Sequence, residues 1–160
     1  MADAISIKTV PEFQELIAST KYVIVDFWAD WCPPCKAIGP IFSKMAKTNS
    51  IPGKLAFAKV DLEETPEIPE EHSVASIPAF LFFVDGVPQP LDLQGRIKKG
   101  PTVVLDDESG KLKRIQGADP RVLNMVVAEL ARLAKEAPAD SDVKPEKDAA
   151  EKKDEAVPPP

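Results

Sequence analysis

The sequence predicts an α/β sandwich: a sheet with a parallel half and a terminal antiparallel hairpin, covered by helices. Three observations carry this. Apolar runs rich in β-formers alternate with segments of helical spacing, in the order βαβαβαββα. The run Tyr22–Trp28 is apolar almost without interruption, and continuity rather than alternation marks a strand covered on both faces. The composition suits one core, with 160 residues of which 44% are hydrophobic.

Residues 5–8 read as a short first strand. Thr9-Val10-Pro11-Glu12 is a capping box with proline in the first turn, where a missing N–H does no harm. Phe13, Leu16 and Ile17 follow at helical spacing, which predicts a helix over 11–19. Residues 22–28 are the central strand. A second helix is expected to begin at Cys32 or just before it. Ile38, Ile41, Phe42 and Met45 form its apolar stripe, and Pro40 is expected to kink it. Residues 55–60 are another buried strand, and residues 66–72 a short helix limited by Pro69. Residues 79–84 make a strand closed by the turn signal Asp85-Gly86. Residues 111–116 make the last strand, ending at Gly117. Asp119-Pro120 opens a final helix with Val122, Leu123, Val126, Val127, Leu130 and Leu133 on its inner face.

Charge and composition exclude several function classes. With 26 acids against 20 bases the net charge is −6, which repels phosphate backbones and anionic lipid. Neither nucleic acid nor a membrane is expected as a partner. No apolar run approaches the roughly 18 residues of a membrane-spanning helix. Met1-Ala2-Asp3-Ala4 lacks the basic and apolar segments of a secretory signal, so a cytoplasmic location is expected. Two cysteines are too few for a disulfide-stapled secreted scaffold. Composition changes at Pro138: the last 23 residues hold five prolines, seven acids, four lysines and no aromatic. Such a segment buries too little apolar area to offset the entropy of ordering. Residues 138–160 are therefore expected to be a disordered tail behind a domain at 1–137.

The two cysteines stand in Trp31-Cys32-Pro33-Pro34-Cys35-Lys36, between a buried strand and a helix. A two-residue gap across a helix start lets the sulfurs bond with little backbone movement. At a helix N-terminus Cys32 would face free N–H groups and the positive end of the dipole. Both favour its thiolate and lower its pKa below the free value of about 8.5. Cys35, one turn inside, would be shielded and less ionised. Cys32 is thus the expected nucleophile toward a substrate disulfide, and Cys35 the resolving thiol that releases the product. A tetrahedral zinc site would have to borrow carboxylates beside the single histidine, His72, so no metal is expected. His72 itself lies in a polar helix end and is expected at the surface. Asp26 interrupts an apolar strand; position alone leaves it a water-satisfied carboxylate or a functional one. Lys59, in an apolar strand, would ordinarily snorkel to solvent. Trp28 and Trp31 alone read as core or rim aromatics.

Taken together these motifs resemble the thioredoxin family over about residues 5–133, one insertion apart. The stretch Asp26-Phe27-Trp28-Ala29-Asp30-Trp31-Cys32-Pro33-Pro34-Cys35-Lys36 is similar to the family's active-site strand and loop. Pro40, Lys59-Val60-Asp61, Ser76-Ile77-Pro78, Phe83-Val84-Asp85-Gly86 and Gly117-Ala118-Asp119 match further family motifs in order. The resemblance implies a three-layer sandwich around a mixed sheet. It implies that Asp26 lies behind Cys35 and carries its proton, with Lys59 as partner, and that burial raises the Asp26 pKa to suit this. It implies a cis Ile77–Pro78 bond, setting the Ile77 backbone beside Cys32 to pair with a substrate's extended chain. Trp31, Ile77, Pro78, Gly117 and Ala118 would form the substrate-facing surface. No bound cofactor is implied; electrons would come from NADPH through a thioredoxin reductase, to a monomer acting on disulfide-bearing client proteins.

The chain departs from the family pattern twice. Pro33 stands where the family usually carries glycine, and neither Pro33 nor Pro34 has an N–H to offer the Cys32 sulfur. The thiolate is then less stabilised and the couple more reducing. Pro-Pro also occurs in reducing relatives such as tryparedoxins and cytochrome-maturation thioredoxins, whereas oxidants and isomerases usually place histidine before the second cysteine. The second departure is an insertion at about 88–111, including Arg96-Ile97-Lys98-Lys99 and Thr102-Val103-Val104-Leu105. Residues 103–105 are expected to pair with 112–115 as an extra edge hairpin. The insertion is either a decorated loop far from Cys32 or a partner-specific surface. The leading function is reduction of exposed protein disulfides. The alternatives are a thioredoxin-fold adaptor that binds through insertion and tail, and a disulfide isomerase or oxidase.

Overall fold

A computed structural model describes residues 3–137. The segment expected to be a tail, 138–160, lies outside the described residues. Among the described residues four helices and seven strands follow one another. They are β1 (Ile5–Ser6), α1 (Val10–Ser19), β2 (Tyr22–Trp28), α2 (Pro33–Asn49), β3 (Leu55–Asp61) and α3 (Glu67–Glu71). Then come β4 (Ala79–Val84), β5 (Val87–Pro88), β6 (Val103–Leu105), β7 (Leu112–Gln116) and α4 (Pro120–Glu136).

The sheet runs in the order β1-β3-β2-β4-β7-β6. β1 and β2 lie parallel to β3, while β2·β4, β4·β7 and β7·β6 are antiparallel. Side chains alternate across this sheet. Ile24, Phe57, Phe80 and Phe82 face a core closed by Ile38 and Phe42 of α2 and by Leu123, Val126 and Leu130 of α4. Val23, Val25, Phe27, Leu81 and Phe83 face the other side, where Phe13 of α1 and Ile68 of α3 close a second core. The central strand is covered on both faces, which accounts for its continuous apolar run.

The first strand is shorter than the sequence suggests. Ile7 still donates its N–H to the Lys59 carbonyl (2.9 Å), but the Lys8 N–H turns to the Glu12 carboxylate (2.7 Å). The capping box of α1, in which Glu12 N–H also donates to Thr9 Oγ1 (3.2 Å), takes the chain out of the sheet.

The insertion splits one strand position in two. β4 is paired along one edge by β2. Its other edge is shared by β5, through Phe83↔Pro88 and Val84↔Val87, and by β7, through Ala79↔Gln116 to Leu81↔Arg114. The sequence signals did not resolve β5 as a separate element. Pro88 and Pro90 offer no N–H to continue the ladder. The chain leaves the edge of β4 after Gln89, whose N–H reaches the Phe82 carbonyl (3.1 Å), and that edge is taken up again only by β7. The intervening residues are anchored. Leu91 exchanges backbone hydrogen bonds with Leu112 (2.7 and 2.9 Å), and Leu91 and Leu93 are buried in the α2–α4 core. Arg96 pairs with Glu129 of α4 (2.9 Å), a carboxylate also held by Arg132 (2.6 Å). The basic stretch 96–99 is thus divided: Arg96 is ion-paired, Ile97 packs against the core, and Lys98 and Lys99 are exposed. No helix among the described residues is long and apolar enough to cross a membrane.

Candidate functional site

β2 ends at Trp28, and a short loop brings the chain to Cys32, the N-cap of α2. Cys32 and Cys35 are joined by a disulfide, their Cα atoms 5.3 Å apart. Pro33 and Pro34 occupy the first two helical positions, where missing N–H groups are tolerated. The first side-chain cap of α2 is therefore a sulfur contact. The Cys35 N–H points at Cys32 Sγ (3.2 Å), and Lys36 N–H donates to the Cys32 carbonyl (3.2 Å). Both cysteines are buried, Cys32 being 4% exposed. Next to them Trp31 is 63% exposed, its indole N–H donating to Glu63 Oε2 (2.9 Å).

The alternation of β2 places Asp26 on the same face as Ile24, beneath α2. Asp26 is 1% exposed, and neither carboxyl oxygen accepts a hydrogen bond from the described residues. Its pKa rises from the ordinary 3.8 to about 7. Burial is the main cause, partly opposed by the positive charge of Lys59. The carboxyl opens onto a cleft of about 300 Å3 lined also by Trp28, Cys35, Gly39, Ser43 and Lys59. Lys59 is Asp26's register partner on β3. Its ammonium stands 5.0 Å from the centre of the Trp28 ring, and its influence on Asp26 is that of a nearby charge rather than a hydrogen bond.

The Ile77–Pro78 peptide bond is cis. Pro78 is buried and Ile77 is half-buried against the cluster of Ala29, Cys32 and Cys35. Gly117, at the end of β7, donates its N–H to the Pro78 carbonyl (2.8 Å), and Ala118 beside it is exposed. The structure thus collects Trp31, Ile77, Pro78, Gly117 and Ala118 at one end of the sheet, together with the sulfur pair. Among the described residues no group of three or more His, Cys, Asp or Glu is arranged to hold a metal ion.

His72 departs from its expected place. It is half-buried, its ring edge-on to Phe83 (5.2 Å) and Phe13 (6.5 Å). Burial lowers its pKa, opposed by Glu71 and aided by Arg114. Arg114 of β7 donates to the His72 and Ser73 carbonyls (3.0 and 3.1 Å), a link across some 40 residues that no local pattern reveals. Two rim residues had no sequence signal that placed them at the site: Glu63, which holds Trp31, and Thr102 of the insertion, which packs against Gly117.

A disulfide between a helix N-cap and the first turn, set at the end of a central strand, is the arrangement of a thiol–disulfide oxidoreductase. The thioredoxin family model matches residues 4–105. Over 137 residues the chain is 37% identical to a thioredoxin of Neurospora crassa, covering 85% of this chain and 94% of the relative. It is also 37% identical to a thioredoxin-like protein of Fusarium culmorum, covering 77% and 87%. The solved structure of Malassezia sympodialis thioredoxin superposes with a TM-score of 0.58 at 28% identity, covering 82% of this chain and 96% of that one. The chain belongs to the thioredoxin family.

Proposed function

We propose that the protein reduces exposed disulfides of client proteins. The inequivalence of its two sulfurs carries this reading. Cys32 stands at the helix cap beside the exposed Trp31, where a client can approach. Cys35 lines the cleft that holds the Asp26 carboxyl.

In the reduced protein the Cys32 thiolate attacks a client sulfur. The S–S bond of the client breaks, one client sulfur leaves as thiolate, and a mixed disulfide forms. Asp26, with a pKa of about 7, accepts the proton of the Cys35 thiol at neutral pH. The Cys35 thiolate then attacks Cys32 Sγ. The mixed disulfide breaks, the second client thiolate departs, and the bonded pair of the structure is regenerated. The client gains two electrons and the protein loses two. They are restored by NADPH through a thioredoxin reductase, and the redox group is the disulfide itself. We place the protein in the cytoplasm as a monomer, where the thiol pool keeps such a couple reduced. Separation of cell fractions and sedimentation of the pure protein test these two points.

Direction is set by potential. The Cys35 N–H is the backbone donor on Cys32, because Pro33 and Pro34 have none. Fewer donors mean a less stabilised thiolate and a more reducing couple. Equilibration in a thiol redox buffer should give a value near the roughly −270 mV of thioredoxin. A value between roughly −180 and −120 mV, the range of isomerases and strong oxidants, would overturn the reductase reading.

A further inference from the structure

The insertion reaches the client-facing end of the sheet. β6 pairs with β7, so the residue just before β6, Thr102, lies beside the end of β7. Thr102 holds the segment 116–119 at three points. Its carbonyl accepts the Gln116 N–H (2.8 Å). Its hydroxyl donates to Asp119 Oδ2 (2.7 Å), while Asp119 Oδ1 caps α4 through the Val122 N–H (3.2 Å). Its methyl covers Gly117 so closely that a Cβ there would stand 2.9 Å from Thr102 Cγ2.

Gly117 has no side chain to pack and sits at φ +129°, a conformation glycine enters and leaves at little cost. What keeps it in place must come from its neighbours: the Pro78 carbonyl on its N–H and Thr102 packed against it. Gly117 in turn holds the Pro78 carbonyl (2.8 Å). We propose that Thr102, supplied by the insertion, is a positioning residue for client binding: it holds the Gln116–Asp119 segment, and through it the Ile77–Pro78 loop, ready for an extended polypeptide. This rests on the client-reduction reading above. A groove ordered in advance spares the ordering entropy that binding would otherwise cost. A protein disulfide, which lays backbone along the groove, needs that order. A small disulfide has to reach only the Cys32 sulfur and lays no backbone along the groove, so it does not.

The test uses the full chain with dithiothreitol as electron donor, insulin as the protein disulfide and DTNB as the small one. Thr102→Val keeps the shape and loses the hydroxyl; Thr102→Ala loses hydroxyl and methyl; Thr102→Ser keeps the hydroxyl. The Val and Ala variants should raise KM for insulin about five-fold, the equivalent of roughly one hydrogen bond, with kcat and DTNB reduction unchanged. Ser, which keeps the hydroxyl and loses the methyl, should recover part of the native value. Amide exchange at Gly117 should quicken most in Ala, which loses both contacts. Native kinetics on insulin in the Val and Ala variants, an equal loss on DTNB, or unchanged Gly117 exchange would each overturn the proposal. A native chain that reduces DTNB but not insulin removes the client-reduction reading and the groove proposal with it. That result appears before any substitution, so the two failures are separable.

Discussion

At the scale of single residues Asp26 carries a cost to the fold. A carboxyl without a hydrogen-bond partner in an apolar strand is kept there only at the expense of stability. Because burial raises its pKa to about 7, folded Asp26 keeps its proton where the unfolded chain has already lost it. Its contribution to stability is full below about pH 4 and is lost as pH rises through about 7. In the oxidised protein, Asp26→Ala should therefore become more stable relative to the native chain as pH rises. The gap should widen by about 4 kcal/mol between about pH 4 and about pH 9, read from denaturant unfolding. In the reduced protein, Asp26→Asn should lose the rate inflection near neutral pH and slow the resolving step. Decay of the mixed disulfide across a pH series checks this. A polar break in an apolar strand marked Asp26 in the sequence, whereas its position under α2 comes from strand alternation combined with the helix that lands on it.

At the scale of elements the insertion changes what the sheet is. The expectation that 103–105 pairs with the last strand agrees with the β6·β7 ladder. What local patterns do not reveal is that the inserted residues enter the core and end at the site. Leu91 and Leu93 are spaced like strand residues, but prolines on one side and a turn on the other hide their burial. Leu93→Ala should cost about 2–4 kcal/mol, the loss of a buried leucine, where a mere surface loop would give almost nothing. Thermal or urea unfolding of the full chain reads this directly. Glu129 is illegible in the same way. Arg132, three residues on, is its local partner, but that this charge can sit on the inner side of α4 is seen only once Arg96, 33 residues earlier, meets its other oxygen.

At the scale of the whole molecule, two cores on opposite faces of one sheet make the fold. Every described element ends by Glu136, and the Ala137 carbonyl accepts a hydrogen bond from Lys54 Nζ (3.1 Å). Residues 138–160 hold no aromatic and few apolar side chains, so a chain ending at Ala137 should melt at the same temperature and reduce the same substrates as the full chain, by calorimetry and insulin turnover. Loss of either would give residues 138–160 a part in folding or catalysis.

Local signals sufficed wherever cause and effect lie within a few residues. Capping boxes, helical stripes, the unbroken apolar run and the two-residue gap between cysteines act through neighbouring backbone, so the sequence alone determined the sulfur pair and the order of every described element except β5. Tertiary structure decided the rest: the Asp26 cleft, the burial of His72, the splitting of a strand position between β5 and β7, and the seating of Thr102 on Gly117. Each joins residues distant along the chain, through packing and hydrogen bonds that exist only after the sheet has closed.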